Sequence, residues 1–366
     1  MPVEFAVRVL DTVVGVELDG ALSADLHASI LAQWAHLRVS PDGRTPAQRW
    51  RLMLTGADTS NIGDVVPVVA SDEESAADQL ATELTLAGLR ALAGKAFLVH
   101  AAGLALDDGR VVAFVGPSGR GKTTLARHLG SDFGYVSDET IAFRSDLSVV
   151  PYPKPLSIGS RPGVKQLYSP VELGLRPATG PLRLGALVLL ERDAAVTEPR
   201  VEAVPLAEAL GELVPQMSSL ARIPDPLHGL ADVIAATGGV RRLVYGGAED
   251  LRALVSTILR TRGGTHARTD PSVGEIPVEA PTGTIARAPY VDALDIDDQL
   301  AVLATHRLHI LDGIGPALWC ASDGVSIAQL ETRIASIYGP RPDGTTGAAV
   351  AEAIEQLVAA GILHVG

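Results

Sequence analysis

A run of residues with the spacing G-x-x-x-x-G-K-T is the part of the chain best suited to bind phosphate. It extends from Gly116 to Thr123, after an apolar stretch that ends at Val115 and before a stretch with helical spacing. Glycines allow the backbone angles that turn successive N–H groups towards phosphate oxygens, and the start of a helix adds partial positive charge. Lys122 is expected to contact the β- and γ-phosphates of ATP, and Thr123 to hold Mg²⁺.

The alternative interpretation of this run is a glycine turn that only joins a strand to a helix. Such a turn does not require a lysine followed by a hydroxyl side chain, and the strand–turn–helix context favours nucleotide binding. The predicted nucleotide contacts in this run are Gly116, Pro117, Ser118, Gly119, Arg120, Gly121, Lys122, Thr123 and Thr124.

Two adjacent carboxylates, Asp138 and Glu139, follow the next strand-like run. In an open α/β sheet the carboxyl ends of the strands line the ligand crevice. An acid there can hold Mg²⁺ or take the proton of an attacking hydroxyl, so Asp138 is the candidate proton acceptor. Thr123, Asp138 and Glu139 are the candidate metal ligands. The alternative is a pair of solvated turn acids.

His100 lies in the apolar run from Phe97 to Leu106. A lone histidine on an apolar strand is usually a core residue with satisfied hydrogen bonds. The alternative is a contact to phosphate or to the phosphate acceptor. The other histidines form no H-x-x-x-H or H-x-E pattern, so we do not expect a transition-metal site. The candidate catalytic residues are Asp138 and Lys122, with His100 as a third candidate under the second interpretation.

Composition excludes several classes of protein. The 366 residues carry a formal charge of −13, and no basic stripe is present, so we do not expect a nucleic-acid partner. The one cysteine, Cys320, excludes an internal disulfide framework. No segment approaches the ~20 uninterrupted apolar residues of a membrane span, so a cytoplasmic location without membrane contact is expected.

Changes in composition and hydrophobic pattern along the chain predict four regions. Residues 1–95 mix strand-like and helical runs and are expected to form an α+β region packed on the core that follows. Residues 96–262 contain the phosphate-binding pattern. Residues 263–288 shift to Gly, Thr, Pro and Arg without a hydrophobic period and are expected to be a linker. Residues 289–366 form a last small unit. The predicted helices cover residues 22–37, 75–92, 123–129, 205–222, 249–261, 315–321, 326–338 and 346–360.

From His100 to about Ser218 the sequence resembles the catalytic domain of HPr kinase/phosphorylase and its relatives. The order of elements carries the resemblance: Val99-His100-Ala101-Ala102-Gly103, a turn, a strand, the run from Gly116 to Thr123, a helix, and Gly134-Tyr135-Val136-Ser137-Asp138-Glu139. It implies an α/β fold with a P-loop core of the PEP carboxykinase-like type. It also implies that Asp138 accepts a proton, that Glu139 lies near the metal, and that His100 matches the histidine upstream of the P-loop.

One segment departs from that family. Its signature loop carries a glutamate followed by Arg and Gly, whereas residues 153–163 here contain no acid. The resemblance therefore does not supply a second metal ligand or the phosphorolysis reaction. Lys154 recurs in kinase-like relatives, which implies a nucleotide phosphate contact; the alternative is an exposed loop lysine.

From His306 to Leu363 the sequence is similar to PqqD-like peptide-recognition domains. The similar pieces are a strand pair, Gly315-Pro316-Ala317-Leu318-Trp319, Ser322-Asp323-Gly324-Val325-Ser326, a helix, and Leu357-Val358-Ala359-Ala360-Gly361-Ile362-Leu363. This similarity implies a winged-helix-like α+β domain that binds a leader peptide as an added strand. The alternative is a packing or dimerisation module.

Together these resemblances imply a kinase that uses ATP and Mg²⁺ to phosphorylate a serine or threonine of a ribosomally made precursor peptide, as in some lasso-peptide pathways. Two alternatives stay open. One is a nucleotide-binding scaffold that transfers no phosphate, and the other is a regulatory kinase/phosphorylase acting on a folded carrier protein. Homo-oligomers occur among the relatives, but the sequence contains no assembly signal.

Overall fold

The computed structural model describes residues 3–40, 46–57, 64–161, 164–247, 251–260, 268–273, 281–339 and 346–366. The chain divides into two compact units. The first comprises Met1–Ala203, Gln216–Ser219 and Val240–Arg262, and the second comprises Val204–Pro215, Leu220–Gly239 and Gly263–Gly366. Within the described ranges, no helix combines the length and the apolar character needed to cross a membrane.

Helices and strands are numbered in chain order. Those before residue 205 are β1 (Val3–Val9), β2 (Thr12–Leu18), α1 (Ala24–Gln33), β3 (Gln48–Leu54), β4 (Val66–Ala70), α2 (Glu73–Leu92), β5 (Phe97–Ala105), β6 (Arg110–Val115), α3 (Lys122–Leu129), β7 (Gly134–Ser137), β8 (Thr140–Phe143), β9 (Val149–Val150), β10 (Leu156–Arg161), β11 (Val164–Tyr168), β12 (Arg183–Arg192) and β13 (Arg200–Val204). Those after it are α4 (Leu206–Leu213), β14 (Met217–Ser218), α5 (Pro226–Ala236), β15 (Val240–Tyr245), α6 (Leu251–Arg260), β16 (Arg268–Thr269), β17 (Thr284–Arg287), β18 (Asp292–Ile296), β19 (Gln299–Ala304), β20 (Arg307–Leu311), α7 (Gly315–Ala321), β21 (Asp323–Ser326), α8 (Ile327–Tyr338), α9 (Thr346–Ala359) and β22 (Leu363–Val365). The fold is mixed α/β, in agreement with the sequence prediction.

A four-stranded sheet in the order β1-β2-β3-β4 begins the first unit. β1 and β2 form an antiparallel hairpin, whereas β3 and β4 join in parallel. α2 packs against this sheet, and its first turn is capped by Asp72, whose carboxylate accepts a hydrogen bond from the Ser75 N–H. One apolar cluster joins this sheet to residues of the following core, including Leu98, Tyr152 and Leu167.

The large sheet of the first unit has the order β13-β15-β12-β6-β5-β8-β9, with β7 and β14 also paired to β5. β6, β12 and β15 are parallel, and β5 is antiparallel to β6. Because β7 is also antiparallel to β5, β6 and β7 point the same way. Their carboxyl ends therefore lie at the same edge of the sheet, which brings the P-loop and the Asp138–Glu139 pair together.

The predicted turn between β5 and β6 is confirmed. The Leu106 N–H donates to the Arg110 carbonyl at 2.8 Å, and Gly109 has a φ of +82°. A Cβ at Gly109 would lie 2.5 Å from the Pro181 carbonyl oxygen, so only glycine fits this position.

The predicted helix over residues 205–222 is wrong. α4 ends at Leu213 and is followed by a 3-10 turn over Val214–Gln216, strand β14 and a second 3-10 turn. Pro215 has no N–H to donate to the preceding helical turn, and Ser219 has a φ of +58°. The helix therefore ends before these residues, although the helical spacing of apolar residues continues past them.

The predicted linker, residues 263–288, contains two strands. β16 pairs with β18, and β17 lies between β21 and β22. Residues 263–267 and 274–280 lie outside the described residues. In the second unit β16, β18, β19 and β20 form a four-stranded antiparallel sheet, and β21, β17 and β22 form a three-stranded one. α7, α8 and α9 pack together beside them. Residues 204–215 and 220–239, which the sequence placed with the P-loop region, belong to this unit.

Candidate active site

The loop between β6 and α3 has the backbone geometry of a phosphate cradle. Gly119 and Gly121 have φ values of +84° and +88°, a region that strains residues with a side chain. A Cβ at Gly119 would meet open space, and residues 117–120 are exposed. Because the N-cap of α3 is Gly121, no cap side chain covers the first N–H groups of the helix. The loop is therefore an open turn at a helix N-terminus, as anion binding requires.

Lys122 folds back over this loop. Its Nζ donates to the carbonyl oxygens of Gly116 at 2.6 Å and Pro117 at 3.0 Å. Burial lowers the pKa of Lys122, while the charges of Glu139 and Asp138 act in the opposite direction. A third N–H of the ammonium group can therefore reach a ligand without the lysine leaving the loop.

Asp138 lies where β7 ends, directly beside the P-loop helix. Its Oδ2 accepts a hydrogen bond of 2.9 Å from the Thr123 hydroxyl, and its Oδ1 accepts one of 2.9 Å from the Tyr135 hydroxyl. The side chain is almost fully buried. Asp138 therefore lies at the carboxyl end of a strand, as predicted, and is not a solvated turn acid.

Lys154 is also buried, so it is not an exposed loop lysine. Its Nζ lies 3.5 Å from Asp138 Oδ1 and donates to the Pro155 carbonyl at 3.0 Å. The Tyr135 hydroxyl lies 3.1 Å from the Lys154 carbonyl oxygen. A buried ammonium group is costly unless it is paired, and Asp138 is the carboxylate that pairs with it here.

His100 and Glu139 form the accessible side of the site. The His100 Nδ1 lies 2.8 Å from the Glu139 carbonyl oxygen and 3.2 Å from Glu139 Oε1. The two side chains are 34% and 39% exposed, so neither is a core residue. Burial acts to raise the pKa of Glu139, but the His100 hydrogen bond and the nearby charges of Lys154 and Lys122 outweigh it, and this pKa lies below its usual value. Glu139 is therefore an ionised carboxylate within reach of a ligand.

Tyr245, at the end of β15, supports the P-loop from behind. Its hydroxyl donates to the Arg120 carbonyl at 2.9 Å, and a Cβ at Gly121 would lie 3.1 Å from the Tyr245 hydroxyl oxygen. Burial raises the pKa of Tyr245, although the charges of Arg192 and Arg120 oppose it. The tyrosine is therefore a neutral donor that fixes the loop at neutral pH.

The donor set fits Mg²⁺. The Thr123 hydroxyl and the carboxylates of Asp138 and Glu139 offer hard oxygen atoms, and Mg²⁺ with a nucleotide usually takes one or two carboxylates in addition to phosphate oxygens. Nowhere in the described part of the chain do three His, Cys, Asp or Glu side chains group as a metal cage. The residues present thus suit a nucleotide-associated ion.

The residues predicted from the sequence lie together in the structure, and two tyrosines that were not predicted contact them. Lys122, Thr123, Asp138, Glu139, His100 and Lys154 all lie together in the structure. Thr124, Ser118 and Arg120 are exposed on or next to the loop. Tyr135 lies in the run that precedes Asp138 but was given no role, and Tyr245 lies in no motif. The available signal for both is an aromatic hydroxyl in a strand that leads to the site, since a buried tyrosine needs a partner for its hydroxyl.

These features define a class of site. It is a P-loop next to a strand that ends in an acid, within a mixed α/β unit. No protein-family model matches the chain, and no curated protein matches it. A solved structure of the HPr(Ser) kinase/phosphatase from Coxiella burnetii is similar to the chain at 15% identity and a TM-score of 0.25, covering 44% of this chain and 93% of that one.

Proposed function

We propose that this protein is an ATP-dependent kinase that transfers the γ-phosphoryl group to a serine or threonine hydroxyl of a ribosomally made precursor peptide. The observation that carries the proposal is the hydrogen bond between the P-loop hydroxyl of Thr123 and the buried carboxylate of Asp138. This bond joins the two side chains that we propose as Mg²⁺ ligands, next to Lys122, and it supports the proposal because phosphoryl transfer from a nucleoside triphosphate needs a metal ion and a lysine at the phosphates.

In this proposal each residue has a separate task. Loop N–H groups and Lys122 hold the β- and γ-phosphates, and Thr123 and Asp138 hold Mg²⁺. When bound, the ion neutralises charge on the phosphate oxygens. The acceptor hydroxyl lies against Glu139, which orients it and takes its proton. Glu139 replaces the sequence assignment of this step to Asp138, because both oxygens of Asp138 already accept hydrogen bonds and its side chain is 3% exposed, against 39% for Glu139.

His100 supports Glu139 in this scheme. Its Nδ1 is directed at the Glu139 carbonyl and carboxylate, so the tautomer that donates from Nδ1 leaves Nε2 as an acceptor. Catalysis in such a site consists mostly of positioning and of stabilising charge on the transferred group. The cationic side of that stabilisation comes from Lys122 and Lys154.

The peptide part of the proposal concerns the second unit. Its two antiparallel sheets end in short edge strands, β16 and β20 in one and β21 and β22 in the other. An extended leader peptide can add to such an edge through backbone hydrogen bonds. α4 lies against β20, α8 against β21 and α9 against β22, which favours the β16 edge for a peptide.

The test is phosphorylation of a precursor peptide encoded next to this protein, incubated with ATP and Mg²⁺ and weighed by mass spectrometry. We expect a gain of one phosphate mass, and a higher KM for the same peptide without its leader. Glu139→Gln should lower kcat by about 10²-fold or more with an unchanged Mg²⁺ requirement, whereas Asp138→Asn should keep ATP binding, abolish transfer at low Mg²⁺ and require more Mg²⁺.

Several results would overturn parts of this account. A parent protein that binds ATP but leaves the peptide mass unchanged would favour the scaffold alternative. Glu139→Gln at the parent rate would remove Glu139 as proton acceptor. An unchanged KM without the leader would remove the leader-binding role, and phosphorylation of a folded carrier protein instead would support the regulatory alternative.

A further inference from the structure

The segment that carries Lys154 is held from two sides. Tyr152-Pro153-Lys154-Pro155, called here the Lys154 segment, has no regular secondary structure. On the side of the active site, the Tyr135 hydroxyl contacts the Lys154 carbonyl at 3.1 Å, and Lys154 Nζ lies 3.5 Å from Asp138. Two prolines stiffen the segment. Something on its other side must hold it in place, because a buried loop without such contacts would have alternative positions.

Contacts from residues 1–95 hold that other side. His36, in a 3-10 turn after α1, lies with its Nε2 2.6 Å from the Pro153 carbonyl oxygen. The Thr85 hydroxyl, on α2, lies 2.9 Å from the Tyr152 hydroxyl. Because Thr85 donates its one proton to the Ala81 carbonyl at 2.8 Å, Tyr152 must be the donor in this pair.

A third contact also joins α2 to this part of the chain. Ser157, two residues past the segment, donates to Asp78 on α2 at 3.1 Å. Tyr152 itself is fully buried in the apolar cluster of the N-terminal sheet. The turn after α1 and helix α2 thus contact residues within the Lys154 segment and just after it.

We infer that residues 1–95 form a brace that positions Lys154 against Asp138, with His36 and Thr85 as its positioning residues. The inference rests on the proposed function in giving Lys154 a part in phosphoryl transfer. A misplacement of about 1 Å in an active site can cost 10²-fold in rate. Without the His36 and Thr85 contacts, the Lys154 ammonium group could leave the carboxylate that pairs with it, and the site would lose one of its two lysines.

The chain offers a matched control for His36. His27, on α1, makes the same kind of bond, from Nε2 to the Asp19 carbonyl oxygen at 2.9 Å. That bond stays within the N-terminal region and does not reach the Lys154 segment. His36→Gln is the conservative variant, since the Gln Nε2 can donate from nearly the same place, and His36→Met removes the donor at similar size.

The experiment measures kcat and KM for ATP in these variants. We expect His36→Met to lower kcat about tenfold with KM for ATP within about twofold, and His36→Gln and His27→Met to stay within about twofold of the parent. In a Lys154→Met background His36→Met should add less than about a twofold loss, because both changes act through the same ammonium group. Thr85→Val should repeat the kcat loss from the other contact.

Two outcomes would overturn the brace. One is an equal kcat loss from His36→Met with and without Lys154, and the other is an equal loss from His27→Met. If the parent transfers no phosphate, the proposed function fails. The coupling between His36 and Lys154 is then tested by the midpoints of urea unfolding. The midpoint shifts of His36→Met and Lys154→Met should then be non-additive, and additive shifts would refute the coupling.

Discussion

Removing one hydroxyl group from Tyr135 tests whether Asp138 is held in place by the protein. Tyr135 is 1% exposed, and its hydroxyl donates to Asp138 Oδ1 at 2.9 Å. A hydrogen bond to a charged group contributes about 1.5–3 kcal/mol to stability. Tyr135→Phe leaves that carboxylate oxygen with only the Lys154 ammonium at 3.5 Å. We therefore expect the free energy of unfolding to fall by about 2 kcal/mol.

Tyr152→Phe is the matched control. Tyr152 is 0% exposed, so the lost volume is the same, but its hydroxyl bonds to the neutral Thr85 hydroxyl at 2.9 Å. A bond between neutral groups contributes about 1 kcal/mol. The control should therefore be destabilised by about half as much as Tyr135→Phe.

Urea unfolding followed by tryptophan fluorescence measures both changes. The chain has three tryptophans. Trp34 and Trp50 are buried in the first unit, and Trp319 lies in the second. In a Trp319→Phe background the emission reports only the unit that contains the site. Equal losses for the two tyrosine variants, or a loss below about 0.5 kcal/mol for Tyr135→Phe, would mean that the Tyr135–Asp138 bond is not charge-assisted and that Asp138 is held otherwise.

Two further predictions concern the P-loop support and the brace. Tyr245→Phe removes the donor to the Arg120 carbonyl and should weaken MgATP binding by about 3- to 10-fold, measured by calorimetry, because a bond of about 1 kcal/mol that fixes the loop is lost; an unchanged affinity would show that the loop needs no such support. Burial lowers the pKa of His36 although its bond to Pro153 raises it, so the unfolded chain binds the proton first as the pH falls below about 6.5. The parent should therefore lose stability from pH ~7 to pH ~5.5 more steeply than His36→Gln in urea unfolding, and equal slopes would contradict a lowered pKa.

The P-loop could be predicted from the sequence because all its determinants are local. Glycine spacing, a lysine at the start of α3 and an apolar strand before it lie within about fifteen residues, and the structure has each where the pattern placed it. Asp138 was also predicted, since a strand that follows a P-loop helix ends at the same edge of the sheet.

Other features depend on contacts that no local pattern encodes. Lys154 reads as a loop lysine between two prolines, whereas in the structure its side chain is buried and its ammonium group lies beside Asp138. The false helix over residues 205–222 arose because apolar spacing was read across Pro215, which the backbone cannot follow as a helix.

The charges of the site require three segments to keep their positions together: the P-loop helix α3, the end of β7 and the Lys154 segment. Lys154 is buried, and its ammonium group is tolerable only while Asp138 is ionised beside it. Asp138 in turn is fixed by hydroxyls from the P-loop helix and from β7. Moving any one segment would leave either a buried cation or a buried carboxylate without its partner, which costs several kcal/mol. The contacts from residues 1–95 to the Lys154 segment therefore support the candidate site together with the P-loop, and we expect an N-terminal truncation to displace Lys154 from Asp138.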